Sequence, residues 1–340
     1  MSYTDIDRSS DYFETSLYTG TGSSLSISSL DFSPDLTWIK GRSGATEHVL
    51  TDSVRGVTKE LSSNDSGAEE TVAQGLTAFN SDGFTLGTDG SYNTSSATYA
   101  GWSWKAGGSA SSNEDGSVTS SVSANTTAGF SIVKWTGTSA DGTVGHGLGV
   151  APKVVIVKSL GSTEPWYSYW QPLGNNKQVR LDATTASATT TLWLSTTPTS
   201  SVFSVLNHGS TNGSGDYIAY CFAEKQGFSK IGSYTGNGNA DGTFVYLGFK
   251  PAWVLVKNTS GSGDNWILVD NKRLGYNPDN RLLFPNATNA DYTDNNLDLL
   301  SNGFKARVSY DPNGSGNTMI YMAFAENPFV TSTGVPATAR

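Results

Sequence analysis

The most ligand-like spacing of polar residues in this chain is Asn237-x-Asn239-x-Asp241-Gly242. Oxygen-bearing side chains at alternate positions before a glycine match the first half of a calcium-binding EF-hand loop. The twelfth position of such a loop needs a bidentate glutamate, but here it is Gly248, and the flanking sequence predicts no helices. We interpret the motif as a turn and predict no metal site there.

The residues that most often carry catalysis are few and scattered. His48, His146 and His208 stand in unlike contexts, without an H-E-x-x-H pair or a Cys/His cluster. The single cysteine, Cys221, lies between two aromatic residues and is expected to be a buried small hydrophobe. Neither a nucleophile elbow nor a phosphate-binding loop occurs. The sequence therefore predicts no catalytic residue, no metal ligand and no cofactor.

One aromatic cluster is a candidate contact for a sugar or a partner protein. It consists of Trp166, Tyr167, Tyr169 and Trp170, directly after a proline. Exposed rings of this kind stack on sugars or pack against other proteins. The favoured alternative is an alternating core strand, because a similar string begins at Trp266 about one hundred residues later.

The composition is typical of many short strands joined by polar turns. Of the 340 residues, 36% are hydrophobic and only 15% are charged, and 38 are glycine. The net charge is −9 and no basic run is present, so nucleic acid is not an expected partner. The apolar runs are strand-sized and too short to span a bilayer, and no signal peptide is recognisable.

The elements that position these residues are three copies of one module. Trp135-Thr136-Gly137 recurs as Tyr234-Thr235-Gly236, and Pro152 to Lys158 recurs as Pro251 to Lys257, at an offset of about 100 residues. A more diverged first copy contains Tyr18-Thr19-Gly20 and Pro34 to Lys40. We expect the triplet glycine to permit a positive φ and the run before each lysine to form a strand buried on both faces.

These repeats predict an all-β chain of three tandem β-sandwich modules, jelly-roll-like and with little helix. The module boundaries are expected at residues 1–107, 128–227 and 228–331. A Ser/Gly-rich linker is predicted at 108–127 and a C-terminal tail at 332–340. Glu224 and Glu326 recur at equivalent module ends. Their recurrence indicates structure, although 30 acidic residues always permit some carboxylate pair for glycoside hydrolysis.

Several strings, in this order and spacing, resemble the repeated module of tail-fibre-like structural proteins of tailed bacteriophages, especially phages of cyanobacteria and other marine bacteria. The strings are Tyr18-Thr19-Gly20, Asp52-Ser53-Val54-Arg55-Gly56, Ser81-Asp82-Gly83-Phe84, Trp104-Lys105-Ala106-Gly107-Gly108 and Gly145-His146-Gly147-Leu148-Gly149-Val150-Ala151-Pro152. The resemblance extends from about Phe13 to Glu326 and brings no catalytic residues. Because little sequence precedes Phe13 and heptads are absent, we expect a compact piece mounted on another virion protein.

The resemblance implies a non-enzymatic virion protein, tail-associated and adhesive toward the host surface. The alternatives are a capsid decoration or head-fibre protein and, second, a carbohydrate-degrading tailspike. The expected partners are other virion proteins and a host polysaccharide or receptor. The expected location is the virion, tail or capsid surface, after assembly in the host cytoplasm. A homo-oligomer is expected because virion appendages follow cyclic symmetry, and trimers are common among fibres.

Overall fold

The computed structural model of this chain describes residues 4–273, 277 and 281–335. Strands hold 43% of the residues and helices 3%, and the sheets are antiparallel. The prediction of an all-β sandwich fold with little helix is therefore confirmed. None of the helical segments in the described ranges has the length and apolar character needed to cross a lipid bilayer.

The first third of the chain forms one large and one small sheet, which together we call unit one. Its strands are β1 (Phe13–Thr19), β2 (Leu25–Ile27), β3 (Leu36–Gly41), β4 (His48–Asp52), β5 (Lys59–Ser62), β6 (Glu70–Thr71), β7 (Leu76–Asn80), β8 (Gly83–Leu86) and β9 (Thr98–Trp104). The large sheet has the order β1-β9-β3-β4-β5-β6 and the small sheet the order β2-β8-β7. A 3₁₀ turn (Ser9–Asp11) precedes β1, and a short helix, α1 (Gly90–Asn93), precedes β9.

The second third forms unit two in the same way. Its strands are β10 (Ser111–Asn113), β11 (Ser120–Asn125), β12 (Phe130–Thr136), β13 (Gly142–Gly145), β14 (Val154–Ser159), β15 (Tyr167–Trp170), β16 (Lys177–Arg180), β17 (Ala188–Thr189), β18 (Val202–Val205) and β19 (Asp216–Phe222). The large sheet has the order β10-β11-β12-β19-β14-β15-β16-β17, and β13 pairs with β18 in the small sheet. A 3₁₀ turn (Gln171–Leu173) follows β15.

The last third forms unit three. Its strands are β20 (Ser229–Thr235), β21 (Phe244–Tyr246), β22 (Phe249–Asn258), β23 (Ile267–Asp270), β24 (Arg281–Leu282), β25 (Tyr292–Thr293), β26 (Leu297–Leu300), β27 (Gly303–Ala306) and β28 (Thr318–Pro328). The large sheet has the order β20-β28-β22-β23 and the small sheet the order β21-β27-β26. Strands β24 and β25 pair with each other. Of the predicted C-terminal tail, residues 336–340 lie outside the described residues.

Each large sheet is buried on both faces. One face packs against the small sheet of its own unit, as Val155 and Val157 do against Phe203 in unit two. The other face contributes to a central core shared by all three units. The residues of β3 and β14 are buried throughout, which agrees with the continuous apolar runs expected for strands covered on two sides.

The segment predicted as a linker, 108–127, is instead part of the large sheet of unit two. Strand β11 pairs with β12 along its whole length, and β10 pairs with β11. Its hydroxyl-bearing residues also bond to the small sheet of the same unit, as the Ser120 hydroxyl does by donating to the Gly145 carbonyl at 3.0 Å. Composition alone indicated a loop, but Val118 and Val122, both buried, hold this segment to unit two.

The three units meet on a pseudo-threefold axis. Trp104, Phe222 and Phe324 occupy equivalent positions in their strands, because they face Leu36, Val154 and Trp253 in the same register. Their ring centroids lie 6.4 Å (Trp104–Phe222), 5.8 Å (Trp104–Phe324) and 6.0 Å (Phe222–Phe324) apart. This closed triangle of aromatic rings is the centre of the shared core.

The units are joined around this axis by one backbone hydrogen bond that occurs three times. Glu69 N donates to Leu160 O at 2.8 Å between units one and two, and Ser187 N donates to Thr259 O at 3.0 Å between units two and three. The ring closes where Asp291 N donates to Arg42 O at 2.9 Å between units three and one. Equivalent head-to-tail contacts that return to their starting point define a closed ring. We call the three contacts seam one–two, seam two–three and seam three–one.

The glycine of each repeated triplet is required for close approach and not for its φ. A Cβ on Gly20, Gly137 or Gly236 would lie 2.0–2.3 Å from the carbonyl oxygen of Thr94, Gly213 or Gly314. None of the three glycines has a positive φ, so the expectation of a left-handed conformation there is wrong.

Three equivalent buried asparagines clamp the triplet turn, and we did not single them out from the sequence. Asn93 accepts from Thr21 N, Asn212 from Thr138 N and Asn313 from Asn237 N, through their side-chain oxygens. Each amide nitrogen donates back to a carbonyl of a nearby loop. The recurrence of asparagine shortly before each closing strand was the available signal.

Candidate binding surface

Three of the four aromatic candidates are buried, two of them at seams and Tyr169 in the core of unit two, and cannot contact a sugar. Trp166, Tyr169 and Trp170 are at most 2% exposed, while Tyr167 is half-buried. The Trp166 indole donates across seam one–two to the carbonyls of Ser62 (2.8 Å) and Asp65 (3.1 Å). The hypothesis that these rings contact a sugar or a partner protein is therefore wrong for the three buried rings. Successive residues of this segment alternate between the central core and the core of unit two, which is the core strand that we favoured from the sequence.

The calcium-like loop uses its own oxygen atoms. Asn239 N donates to the Asn237 side-chain oxygen at 3.0 Å, and Asp241 N donates to that of Asn239 at 2.9 Å. The Asp241 carboxylate accepts from the Lys305 ammonium, which lowers the pKa of Asp241. Among the described residues, no group of three or more His, Cys, Asp or Glu side chains is arranged to hold a metal ion.

The other chemistry-bearing residues lie in structural positions. Cys221 is fully buried, as predicted, and burial raises the pKa of its thiol. His48 and His146 are buried, and desolvation lowers the pKa of each ring. Glu224 pairs with Lys153 at 2.8 Å, next to the junction of units two and three.

A lysine that recurs in every unit supports the ring. Lys40, Lys158 and Lys257 are 0% exposed, and each ammonium donates to the carbonyl of the next residue. Lys40 also donates to Thr288 O across seam three–one at 3.1 Å. Burial lowers the pKa of Lys40 and of Lys158 to about 8. These buried ammonium groups hold neighbouring loops together and are not accessible to a ligand.

Seam one–two contains a buried ionic network. The Arg55 guanidinium donates to Asp52 Oδ2 at 2.5 Å, and both side chains are 0% exposed. The Tyr220 hydroxyl of unit two donates to the same Asp52 oxygen at 2.8 Å. Arg55 also pairs with Glu69 at 3.3 Å. Burial raises the pKa of Tyr220 well above its usual value, so this hydroxyl remains a donor.

Seam three–one repeats this arrangement with other residues. Arg273 donates to Asp270 Oδ2 at 2.7 Å and to Asp291 at 2.9 Å. The Trp102 indole of unit one donates to Asp270 at 3.0 Å and also lies beneath the Arg273 guanidinium. The Asp-x-x-Arg string, which occurs in both units, was the available sequence signal for these networks.

An acidic cleft of about 180 Å³ opens beside β5 in unit one. It is lined by carboxylates that include Glu47, Glu60, Asp65 and Glu70. Burial raises the pKa of Glu60 to about 7, with neighbouring carboxylates adding to the effect. Glu47 accepts from the Asn64 amide, so part of this oxygen set is already used within the protein.

The exposed aromatic side chains of the described residues are concentrated in unit three. Phe244 is 43% exposed and Tyr246 is 58% exposed, and they flank the buried Val245 on β21. Alternate residues of a strand project to the same face, so both rings lie on the outer face of the small sheet. Tyr292 and Tyr310, the other two exposed rings, also belong to unit three.

Charged groups surround the two rings on β21. The Lys230 ammonium lies 5.3 Å from the centre of the Tyr246 ring and donates to the Tyr246 carbonyl at 3.0 Å. Lys305 faces Phe244 in register and pairs with Asp241. We call the group Lys230, Phe244, Tyr246, Lys305 and Asp241 the aromatic face. Two exposed rings bordered by hydrogen-bonding groups suit a ligand with one apolar side and polar edges.

The other two units lack this feature at the equivalent place. The register aligns Phe244 with Ser26 in unit one and with Thr143 in unit two. Thr143 is further occupied, because its hydroxyl accepts from Ser117 N at 2.9 Å. The aromatic face is therefore an addition specific to unit three and not a requirement of the shared fold.

The comparison with known families gives a match over nearly the whole chain. The chain belongs to the family described as Domain of unknown function (DUF7483). The match covers residues 8–328 and so includes all three units of the ring. No curated protein and no solved structure matches the chain significantly.

Proposed function

We propose that this protein is a non-enzymatic structural component of a tailed-phage particle that attaches to the host surface through unit three. Its place would be the tail, mounted on other virion proteins after assembly in the host cytoplasm. The aromatic face carries this proposal, because the exposed aromatic rings of the described residues all belong to one unit of a repeated fold, which is best explained by binding. The resemblance to tail-fibre-like modules supports the virion setting.

The architecture suits an adhesive role because it holds the aromatic face on a rigid support. The small sheet bearing Phe244 packs on the large sheet of unit three, and that sheet contributes to the shared core. Binding groups held on regular strands need no reordering when a ligand arrives, so less binding free energy is lost. All three seams join units of the same chain. The predicted homo-oligomer would therefore form through surfaces other than the seams.

The experiment is a binding assay with the purified full chain and cells of the host bacterium. We expect labelled protein to bind these cells and the excess of unlabelled protein to slow phage adsorption. Alanine at both Phe244 and Tyr246 should abolish binding and lower the unfolding midpoint only slightly, because the side chains are 43% and 58% exposed. Tyr292→Ala is the control, at another exposed ring. Unchanged adsorption and no cell binding would contradict the proposal.

Copy number in purified particles separates the tail assignment from the alternative of a capsid decoration protein. A tail protein should be present in about six to eighteen copies, and a decoration protein in many more. Release of sugar from host polysaccharide would instead favour a depolymerising tailspike.

A further inference from the structure

We infer that the aromatic face binds a polysaccharide that carries carboxylate groups, such as a polymer of uronic acids. This inference rests on the proposed attachment role and names the ligand of the same surface. The ligand follows from two features of the aromatic face: a pair of exposed rings and, beside them, the Lys230 ammonium, which forms no ion pair among the described residues.

The two exposed rings favour a ligand with an apolar side. Phe244 and Tyr246 project from alternate positions of β21, so two rings are available along one strand. The backbone opposite Tyr246 belongs to Gly303, which carries no side chain to obstruct the surface. Pyranose rings present C–H groups on one face and hydroxyls at the edge, which fits rings bordered by polar groups.

The charges select an acidic chain. Lys305 pairs with Asp241, and Arg307 pairs with Asp298 at 3.0 Å. Among the described residues Lys230 forms no ion pair, and its ammonium contacts only neutral groups, the carbonyl and the ring of Tyr246. The chain as a whole carries a net charge of −9, so a carboxylate is favoured at Lys230 and disfavoured over most of the surface.

The test uses the full chain and four defined polymers in titration calorimetry: polygalacturonate, alginate and hyaluronan as acidic probes and dextran as the neutral one. We expect the chain to bind at least one acidic polymer more tightly than dextran. Tyr246→Ala should weaken that binding about tenfold. Tyr310→Ala is the matched control, because Tyr310 is 56% exposed against 58% for Tyr246 and belongs to the same unit; it should bind like the parent.

A second variant tests the charge. Lys230→Gln should weaken binding of the acidic polymer about fivefold and leave dextran unchanged. Raising the salt concentration should reduce the parent's preference for the acidic polymer and have little effect on the variant. The inference is overturned if no acidic polymer binds, if Tyr310→Ala weakens binding as much as Tyr246→Ala, or if Lys230→Gln has no effect.

Failure of this inference is distinguishable from failure of the proposed function. Cell binding that requires Phe244 and Tyr246, without binding to any acidic polymer, would overturn the acidic ligand and leave the attachment role standing. Polymer binding by a chain that is missing from purified particles would support the ligand and contradict the virion role. Loss of Tyr246→Ala protein from particles, with no polymer binding, would identify the aromatic face as a protein interface and overturn the inference.

Discussion

Seams one–two and three–one are closed by buried ion pairs, whereas seam two–three is closed by tryptophan. Asp52, Asp270 and Trp170 occupy the same position at the end of equivalent strands, facing Leu36, Trp253 and Val154. Trp170 packs on Trp266 across the seam with ring centroids 5.7 Å apart. Equivalent contacts between units are therefore made by ion pairs at two seams and by packed tryptophan rings at the third.

The two kinds of seam show what a buried charge requires. Each buried aspartate has its own arginine and, in addition, a donor from the neighbouring unit: the Tyr220 hydroxyl or the Trp102 indole. A carboxylate taken out of water is tolerated only when its oxygens are satisfied in this way. Trp170 needs only one acceptor, the Ser168 hydroxyl at 2.9 Å. The ionic seams thus depend on several partners at once, and the apolar seam depends on packing.

The largest expected effect comes from removing one member of an ion pair. Arg55→Met should lower the free energy of unfolding by about 3–5 kcal/mol, because it leaves Asp52 buried without its cation. Arg273→Met at seam three–one should act similarly. Urea unfolding followed by tryptophan fluorescence measures both variants.

The control for these variants is an arginine of an exposed ion pair. The Arg8 side chain is 61% exposed and pairs with Asp11, so Arg8→Met should change stability by about 0.5 kcal/mol or less. Equal losses for Arg55→Met and Arg8→Met would mean that the seam network contributes no more than a surface pair. The buried ion pairs would then not be needed for the stability of seams one–two and three–one.

The sequence predicted the strands of this fold better than it predicted their assembly. The offset between copies and the Pro-to-Lys runs located β3, β14 and β22, because burial on both faces leaves a continuous apolar string. Ring closure was not predicted. It depends on contacts between residues far apart in the chain, such as Arg42 with Asp291 at 2.8 Å, and no local pattern encodes them.

The candidate surface was missed for a related reason. The cluster around Trp166 is dense in aromatic residues, yet it is buried because a neighbouring unit covers it. Phe244 and Tyr246 are sparse in the sequence and lie in a strand of three residues. The available signal was a comparison of copies: serine and threonine stand where unit three has phenylalanine.

An intermediate effect is expected at the apolar seam. Trp170→Phe should lower the free energy of unfolding by about 2 kcal/mol, because it removes ring atoms that pack on Trp266 and the hydrogen bond to Ser168. This loss should be nearly the same at low and at high salt, since no charge is involved. Urea unfolding at two salt concentrations measures it, with Arg55→Met in parallel. A strong salt dependence for Trp170→Phe would contradict the packing explanation.

The smallest expected effect is a pH dependence at seam three–one, where unit one has His48 at the position of Trp166 and Trp266. Desolvation lowers the pKa of His48 well below 6.5, and the nearby cations Lys40 and Arg273 lower it further, whereas the backbone of Phe284 opposes the shift. The Trp38 indole donates to His48 Nδ1 at 3.1 Å, which requires that nitrogen to be unprotonated. The folded state therefore holds a neutral ring at this seam.

The sign of the pH dependence follows from this neutral ring. As the pH falls through 6.5, the unfolded chain takes up a proton at His48 and the folded chain does not, so stability decreases. This one group should cost about 1 kcal/mol between pH 7 and pH 5.5. His48→Gln should be less stable at pH 7 but should lose less stability on acidification. His208→Gln, at an exposed position, is the control substitution. If His48→Gln and the parent lost the same stability between these pH values, proton uptake at seam three–one would not be the cause.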